Sequence, residues 1–332
     1  MLKLEKKKYL TNNWFLVGTK SEIQTKNDFK TFEIFEEPLI VYNTGHEIKT
    51  FLNICPHRGS KVKIKNKGNE ILRCEYHGWC FDKNGKFISA PFLKILPKKK
   101  PGLKKWLTET YNDLIFIAKP GVKITLKKYL QSCMPQLKVF SKNIGQLVNS
   151  ESHIWNCNWK VAVENSIDEY HAPYLHKNTF KNVLNLKPKY FGNNKALSMK
   201  MPVDKKYLNS IKKIKNFFLE TNDKNYTHIL FFPCTTFATT MGIFNFVQTY
   251  FPISEKITKV TTDIYINLRD KKEMNNKIIK SLIDFAVKFN QTVFNEDKSI
   301  NENLMYKKNY NKSNIFTNLE VRVKKFRTLT DI

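Results

Sequence analysis

The first 120 residues change character in short steps. Segments Trp14–Val17, Leu39–Tyr42, Glu47–Leu52, Ile71–Arg73 and Leu114–Ile117 alternate apolar with polar residues or cluster β-branched ones, which is the pattern of strands. Gly45, Gly68 and Gly85 fall between such segments, where hairpins turn. Together they predict an all-β domain over residues 10–120. Beyond it the period lengthens. Val161, Ala162 and Ile167, with no breaker among them, predict a helix reaching about His171, and put Asp168 and His171 on one face of it. The run from His228 to Ser254 carries no Asp, Glu, Lys or Arg and is rich in Phe, Thr and Val. It predicts two buried strands with a turn near Gly242. Near the end, Phe289, Val293, Ile300 and Leu304 form an apolar stripe at helical spacing.

Composition narrows the class. A chain of 332 residues, 41% hydrophobic and 13% aromatic, is long enough and apolar enough for two domains with real cores. Its charge is lopsided, 57 Lys+Arg against 29 Asp+Glu for a net +28. The lysines spread along the whole chain, with short runs only at Lys6–Lys8 and Lys98–Lys100, and no nucleic-acid recognition motif accompanies them. They read as a solvated basic surface rather than a nucleic-acid interface, and their field would steer an acidic protein partner. Residues 1–10 lack the apolar stretch of a signal peptide. The uncharged run contains Pro233, Pro252, Asn245 and Gln248, so strands fit it better than a membrane span. A cytoplasmic protein is expected, without a membrane partner. Its six cysteines, at 55, 74, 80, 133, 157 and 234, then hold metal or stay as thiols. Cys80, Cys133, Cys157 and Cys234 have no ligand pattern about them and are expected to be small buried residues.

The candidate chemistry begins at Cys55-Pro56-His57-Arg58-Gly59 and Cys74-Glu75-Tyr76-His77-Gly78-Trp79. Each segment offers one thiolate and one imidazole from a tight loop, and two such loops make a cage of two sulfur and two nitrogen donors. Structural zinc accepts that set but usually pairs Cys with Cys and His with His. A Rieske [2Fe–2S] cluster, with two Cys on one iron and two His on the other, suits loops that give one of each. Gly59 and Gly78 leave room for the backbone to approach. Cys55, His57, Cys74 and His77 are therefore the expected cluster ligands. The loops resemble those of Rieske proteins, on the branch of ring-hydroxylating oxygenases and their ferredoxins. Ser60 and Tyr76 stand where respiratory Rieske proteins carry an extra, disulfide-bonded cysteine pair.

A second site is suggested by His171 and His176, five residues apart across Pro173 and preceded by Asp168. Two imidazoles with a carboxylate make the facial triad of O₂-activating Fe(II) sites. On an ideal helix the two rings would diverge, so the proline must turn the second back towards the first. The missing carboxylate has two candidates, Glu296 and Asp297, one on either side of the apolar stripe. Periodicity does not choose between them, and both also fit a solvated helix edge.

Asn158-Trp159-Lys160, Glu164-Asn165 and Asp168-x-x-His171-x4-His176 resemble the iron motif of Rieske non-haem iron oxygenase α subunits, with likeness from Trp14 to about Leu304. The resemblance implies His171, His176 and Asp297 as ligands of a mononuclear Fe(II), because Phe294-Asn295-Glu296-Asp297 is similar to the family's late Phe-x-Glu/Gln-Asp stretch. It implies Asp168 as the catalytic link between His171 and a cluster histidine. The implied fold is α+β: the Rieske domain, then a helix-grip domain over 121–332 in which an antiparallel sheet (227–268) wraps a long C-terminal helix (275–308). Residues 1–9 are expected to pack on this second domain, and the Phe-rich segment 231–251 to line the pocket. The implied activity is hydroxylation or oxidative demethylation of a small organic substrate, with O₂ and electrons from a ferredoxin or a flavin/NAD(P)H reductase, in a homotrimer. No Gly-rich dinucleotide fingerprint is present, so NAD(P)H oxidation is expected on a separate protein. An aromatic or apolar acid is the first substrate expectation. A quaternary amine comes second, since Trp155, Trp159 and scattered Tyr are the only material for a cation–π cage in this half. A Rieske electron carrier without chemistry of its own is the remaining alternative.

Overall fold

The computed structural model describes residues 2–94, 101–180, 187–192, 195–219, 221, 223–304 and 315–330, which form two compact units, Lys3–Leu126 and a second from Lys127 onward. Strands Trp14–Thr19 and Leu114–Ala118 pair antiparallel, and their runs of apolar residues are buried almost throughout because both faces are covered. They begin a seven-stranded sheet that continues through Lys105–Tyr111, Ile48–Leu52, Glu37–Asn43, Asp28–Ile34 and Lys67–Asn69. A two-stranded ribbon, Cys80–Phe81 with Phe87–Ser89, stands apart from it. Beneath the ribbon Phe29, Ile40, Phe51, Val62, Leu72 and Phe81 gather into one core with Cys55 and Cys74.

Three expectations in this unit need correction. Ile71–Arg73 is not a strand: one isolated bridge, Arg73 to Cys80, closes the neck of a loop there. Gly68 lies within the edge strand Lys67–Asn69, where a Cβ would meet the Phe29 ring at 2.8 Å, so it serves close packing rather than a turn. Gly45 and Gly85 do turn hairpins, with φ of +89° and +74°. The helix Leu2–Thr11 belongs to the first unit from Lys3 onward, only Leu2 of its described residues grouping with the second: Tyr9 stacks on Phe35 and Lys6 pairs with Glu36 and Glu37.

The second unit is a seven-stranded antiparallel sheet in the order Gln146–Trp155, Thr258–Ile266, Phe244–Pro252, Thr235–Thr240, Asn225–Phe231, Ala196–Pro202, Lys189–Phe191. The uncharged run forms three strands, not two. Gly242 makes the expected turn, and Phe232–Pro233–Cys234 makes another, because proline cannot donate to a ladder. Alternation along paired strands puts Phe244 and Phe246 on the same face as Tyr250, opposite Ile266, Ile264 and Val260. Phe231, Phe237 and Phe251 fall on the other face, so the Phe-rich segment is divided between the two sides of the sheet.

A 27-residue helix, Lys277–Asn303, lies on the Tyr250 face. Asn276 caps it, accepting from the Ile278 N–H at 2.9 Å. Its buried positions are Ile279, Ala286, Phe294 and Asn301, while Ile300 and Leu304 are 43% and 51% exposed. The true inward stripe is thus displaced by about one residue from the expected one. Phe294 anchors the helix, edge-on to Trp155 with centroids 4.7 Å apart. Burying such a ring contributes about 1.5–3 kcal/mol. Residues 305–308 of the expected helix lie outside the described residues. No helix among the described residues is long and apolar enough to cross a membrane.

Candidate metal centres

The two loops of the first unit have one backbone plan. In the first, the Cys55 N–H donates to the Ser60 carbonyl at 2.7 Å and the Gly59 N–H to the Cys55 carbonyl at 3.0 Å. In the second, the Cys74 N–H donates to the Trp79 carbonyl at 2.8 Å and the Gly78 N–H to the Cys74 carbonyl at 2.9 Å. Each loop therefore needs a left-handed residue four places after its cysteine, and glycine stands there in both, with φ of +77° at Gly59 and +68° at Gly78. Cys55 and Cys74 are each 2% exposed, whereas His57 is exposed and His77 half-buried. The imidazoles stand edge to face with centroids 4.9 Å apart, and Trp79 stacks on His57 at 4.6 Å.

Thiols inside and imidazoles at the surface is the segregation a Rieske centre requires, one iron held by sulfur and the other by nitrogen. Burial pushes the Cys55 thiol up to about 11, with Cys74 beside it adding to the rise. A metal would have to displace those protons on binding. All six cysteines are free, and Cys80, Cys133, Cys157 and Cys234 are buried.

In the second unit Asn158 caps the helix Trp159–Ser166, accepting from the Lys160 N–H at 3.0 Å. Trp159 is fully buried against Phe326. This helix ends at Ile167, earlier than expected, so Asp168 and His171 do not share it. A new turn of helix, Ala172–Leu175, starts after His171, with Pro173 in its first turn, where a missing N–H costs nothing. The proline begins a helix rather than bending one. His171 and His176 stand at its two ends, and their Nε2 atoms approach to 3.1 Å.

Asp297, on the long helix, brings Oδ1 to 3.1 Å from His176 Nε2 and 3.6 Å from His171 Nε2. Asp168 Oδ2 lies 3.2 Å from His171 Nδ1, and Glu296 Oε2 lies 2.6 Å from His176 Nδ1. The two acidic neighbours that periodicity left undivided thus take different places. Asp297 faces both Nε2 atoms, and Glu296 backs His176 from behind. Glu296 in that position is what sequence reasoning missed. The usable signal was Phe294: a carboxylate three residues after a core aromatic shares its face.

If each Nδ1–H donates to its carboxylate, each Nε2 is left with a lone pair. Those lone pairs and the buried Asp297 Oδ1, which has no hydrogen-bond partner, converge on one spot. Three acceptors facing one another call for a cation. Ligands about 2.1 Å from one ion sit about 3 Å apart at right angles. Distances of 3.1–3.6 Å fit that arrangement. Burial opposes charge on His176, but Asp297 and Glu296 outweigh it and raise its pKa, so proton and metal compete for this ring.

The comparisons agree with both halves. Residues 13–100 match the Rieske [2Fe-2S] domain model, and residues 145–330 match the ring hydroxylating alpha subunit (catalytic domain). The anthranilate 1,2-dioxygenase large subunit of Acinetobacter baylyi is 27% identical over 193 residues, 54% of this chain and 40% of that one. The biphenyl 2,3-dioxygenase subunit alpha of Rhodococcus jostii is 32% identical over 177 residues, 48% of this chain and 37% of that one. Less than half the length of each relative is matched. Among solved structures, a quaternary ammonium Rieske monooxygenase in complex with L-carnitine superposes with a TM-score of 0.79 at 19% identity, covering 99% of this chain and 91% of that one. Naphthalene 1,2-dioxygenase with indole bound gives 0.72 at 20% identity, covering 91% and 76%. Both share the fold. This chain belongs to the ring-hydroxylating oxygenase alpha subunits, with a Rieske [2Fe–2S] domain preceding the catalytic domain.

Proposed function

We propose that the protein is a terminal oxygenase that hydroxylates, or oxidatively demethylates, a small aromatic or apolar acid. One observation carries the reading: His171 Nε2, His176 Nε2 and Asp297 Oδ1 converge within 4.8 Å of one another. In this reading these three residues hold Fe(II), and Cys55, His57, Cys74 and His77 hold the cluster. Bound there, the cluster supplies electrons one at a time and the Fe(II) supplies open positions for O₂ beside the substrate.

The chain's own groups do the rest. Asp168 and Glu296 hold the two histidines in the tautomer that leaves Nε2 free. Exposed His57 gives an outlet for electrons at the surface of the cluster loops. Ile64, Ile71, Tyr76 and Phe92 expose apolar area in the same unit, which supports contact with another protein surface there. The acceptor of that contact is a second copy in a homotrimer, and the electron source a ferredoxin or flavin/NAD(P)H reductase, in the cytoplasm.

The substrate preference rests on the two candidate cage residues. Trp155 is 2% exposed beneath Phe294 and Tyr250, and Trp159 is fully buried, so neither ring is free to face a quaternary ammonium group. Substrate-stimulated O₂ uptake with a surrogate reductase, screened over aromatic acids and methylated amines, tests this. Uptake coupled to a hydroxylated aromatic acid is expected. Coupled turnover of methylated amines alone would overturn the substrate class.

A further inference from the structure

Four residues separate the helix Trp159–Ser166 with its cap Ile167 from the helix Ala172–Leu175, and they carry both Asp168 and His171. Asp168 is tied within its own segment: its N–H donates to the Asn165 carbonyl at 3.3 Å, and its Oδ1 accepts from the Tyr170 N–H at 2.7 Å. Tyr170 is 45% exposed and His171 half-buried. Only Glu169, 5% exposed, reaches from this connector into the interior.

What it meets there is unexpected in an apolar core. Arg322, 2% exposed on the terminal helix Val321–Thr330, pairs through Nη2 with Glu169 Oε1. Through Nη1 the same guanidinium donates to His228 Nδ1 at 2.7 Å, on the strand Asn225–Phe231. Glu169 Oε2 accepts from the Tyr190 hydroxyl at 3.0 Å. Five residues further along that helix, Arg327 holds Glu164 with both carboxylate oxygens, at 3.1 and 2.8 Å. Two arginines of one helix thus grip carboxylates on either side of Asp168.

A buried ion pair is weak evidence of stability, because apolar residues of similar volume often serve as well. Its better use is to fix position. Successive side chains point in different directions, so Glu169 locked inward sets the rotation of the connector and, with it, where Asp168 meets His171. The planar fork of Arg322 holds Glu169 and His228 from two nitrogens in fixed directions, where a lysine would offer one freely rotating ammonium.

We propose that Arg322 and Glu169 are positioning residues for the metal site, the terminal helix fixing the Asp168–His171 connector against the sheet. The proposal rests on the iron reading of His171, His176 and Asp297.

The test is the affinity of the full chain for Fe(II), measured anaerobically by competition with a coloured chelator, with the Rieske absorbance and a thermal melt as folding controls. The double variant Glu169→Leu/Arg322→Met removes both charges together. It should keep its cluster spectrum and melt cooperatively, yet hold Fe(II) about 10-fold or more weakly, the usual effect of losing a ligand's outer support. Arg322→Lys should fall between it and the wild type. Wild-type affinity in a folded double variant overturns the proposal. If the double variant does not fold, Arg322→Lys, which keeps a buried cation but loses the fork, decides: affinity weakened a few-fold supports the proposal, and unchanged affinity overturns it. Wild-type protein that binds no Fe(II) beyond its cluster overturns the iron reading, and this inference with it; Fe(II) bound equally by wild type and variant removes this inference alone.

Discussion

The cluster loops and the histidine site, the two proposed metal centres, gather their few side chains over very different lengths of chain. Cys55–Ser60 and Cys74–Trp79 are two copies of one turn, each closed by its own backbone hydrogen bonds and its own left-handed glycine. The histidine site joins His176 to Glu296 across 120 residues, and it needs a helix end, a proline-started turn and a long helix in register. A locally closed site is written in spacing, whereas a site assembled at long range is written only in part, because packing finishes it.

That contrast explains what the sequence made legible. The proposed cluster ligands Cys55, His57, Cys74 and His77 stand out by residue type and interval alone. His171, His176 and Asp168 were visible as a group, but the helix connecting them was not: it breaks after Ile167, where Asn158–Ile167 is already capped and Glu169 turns into the core. The choice between Glu296 and Asp297 was hidden by placing the apolar stripe through Val293, Ile300 and Leu304 rather than through Phe294 and Asn301. A one-residue error turns a helix by about 100°. Three strands read as two in 228–254 because Pro233, near one end of the run, was not credited with a turn. Arg322 gave no local signal, since nothing near it in sequence demands a buried cation.

The sharpest way to break the comparison is to remove one site and ask whether the other survives. Cys74→Ser should abolish the visible cluster spectrum and lower iron from about three to about one per chain. His176→Ala should leave the spectrum intact and lower iron to about two. Loss of both centres from either substitution would show that the two units do not hold metal independently.

Smaller effects separate the two carboxylates. Asp297→Asn should weaken Fe(II) binding more than Glu296→Gln, which should reduce it about 10–100-fold, the range for a group that orients a ligand. Equilibrium dialysis against a chelator would read both. The reverse order would place the ligand on Glu296.

Phe294→Ala should destabilise the catalytic unit by about 3–5 kcal/mol, since Trp155 and His153 both pack on that ring. Chemical denaturation followed by far-ultraviolet circular dichroism would measure it. Smallest of all should be the difference between the two loop glycines. Both have positive φ, a strain of about 1–2 kcal/mol for alanine. Gly78 alone has Pro91 2.9 Å from the position of a Cβ, while Gly59 has nothing within 4 Å. Gly78→Ala should therefore lose cluster on mild heating before Gly59→Ala does, followed by loss of visible absorbance.

The central claim is that one polypeptide holds a sulfur- and imidazole-bound cluster and, separately, a single iron. Iron and acid-labile sulfide should be counted on anaerobically reconstituted protein, wild type beside His171→Ala/His176→Ala. The account predicts about three iron and two sulfide in the first, and about two of each in the second. Equal iron in the two proteins, at two per chain, would contradict it.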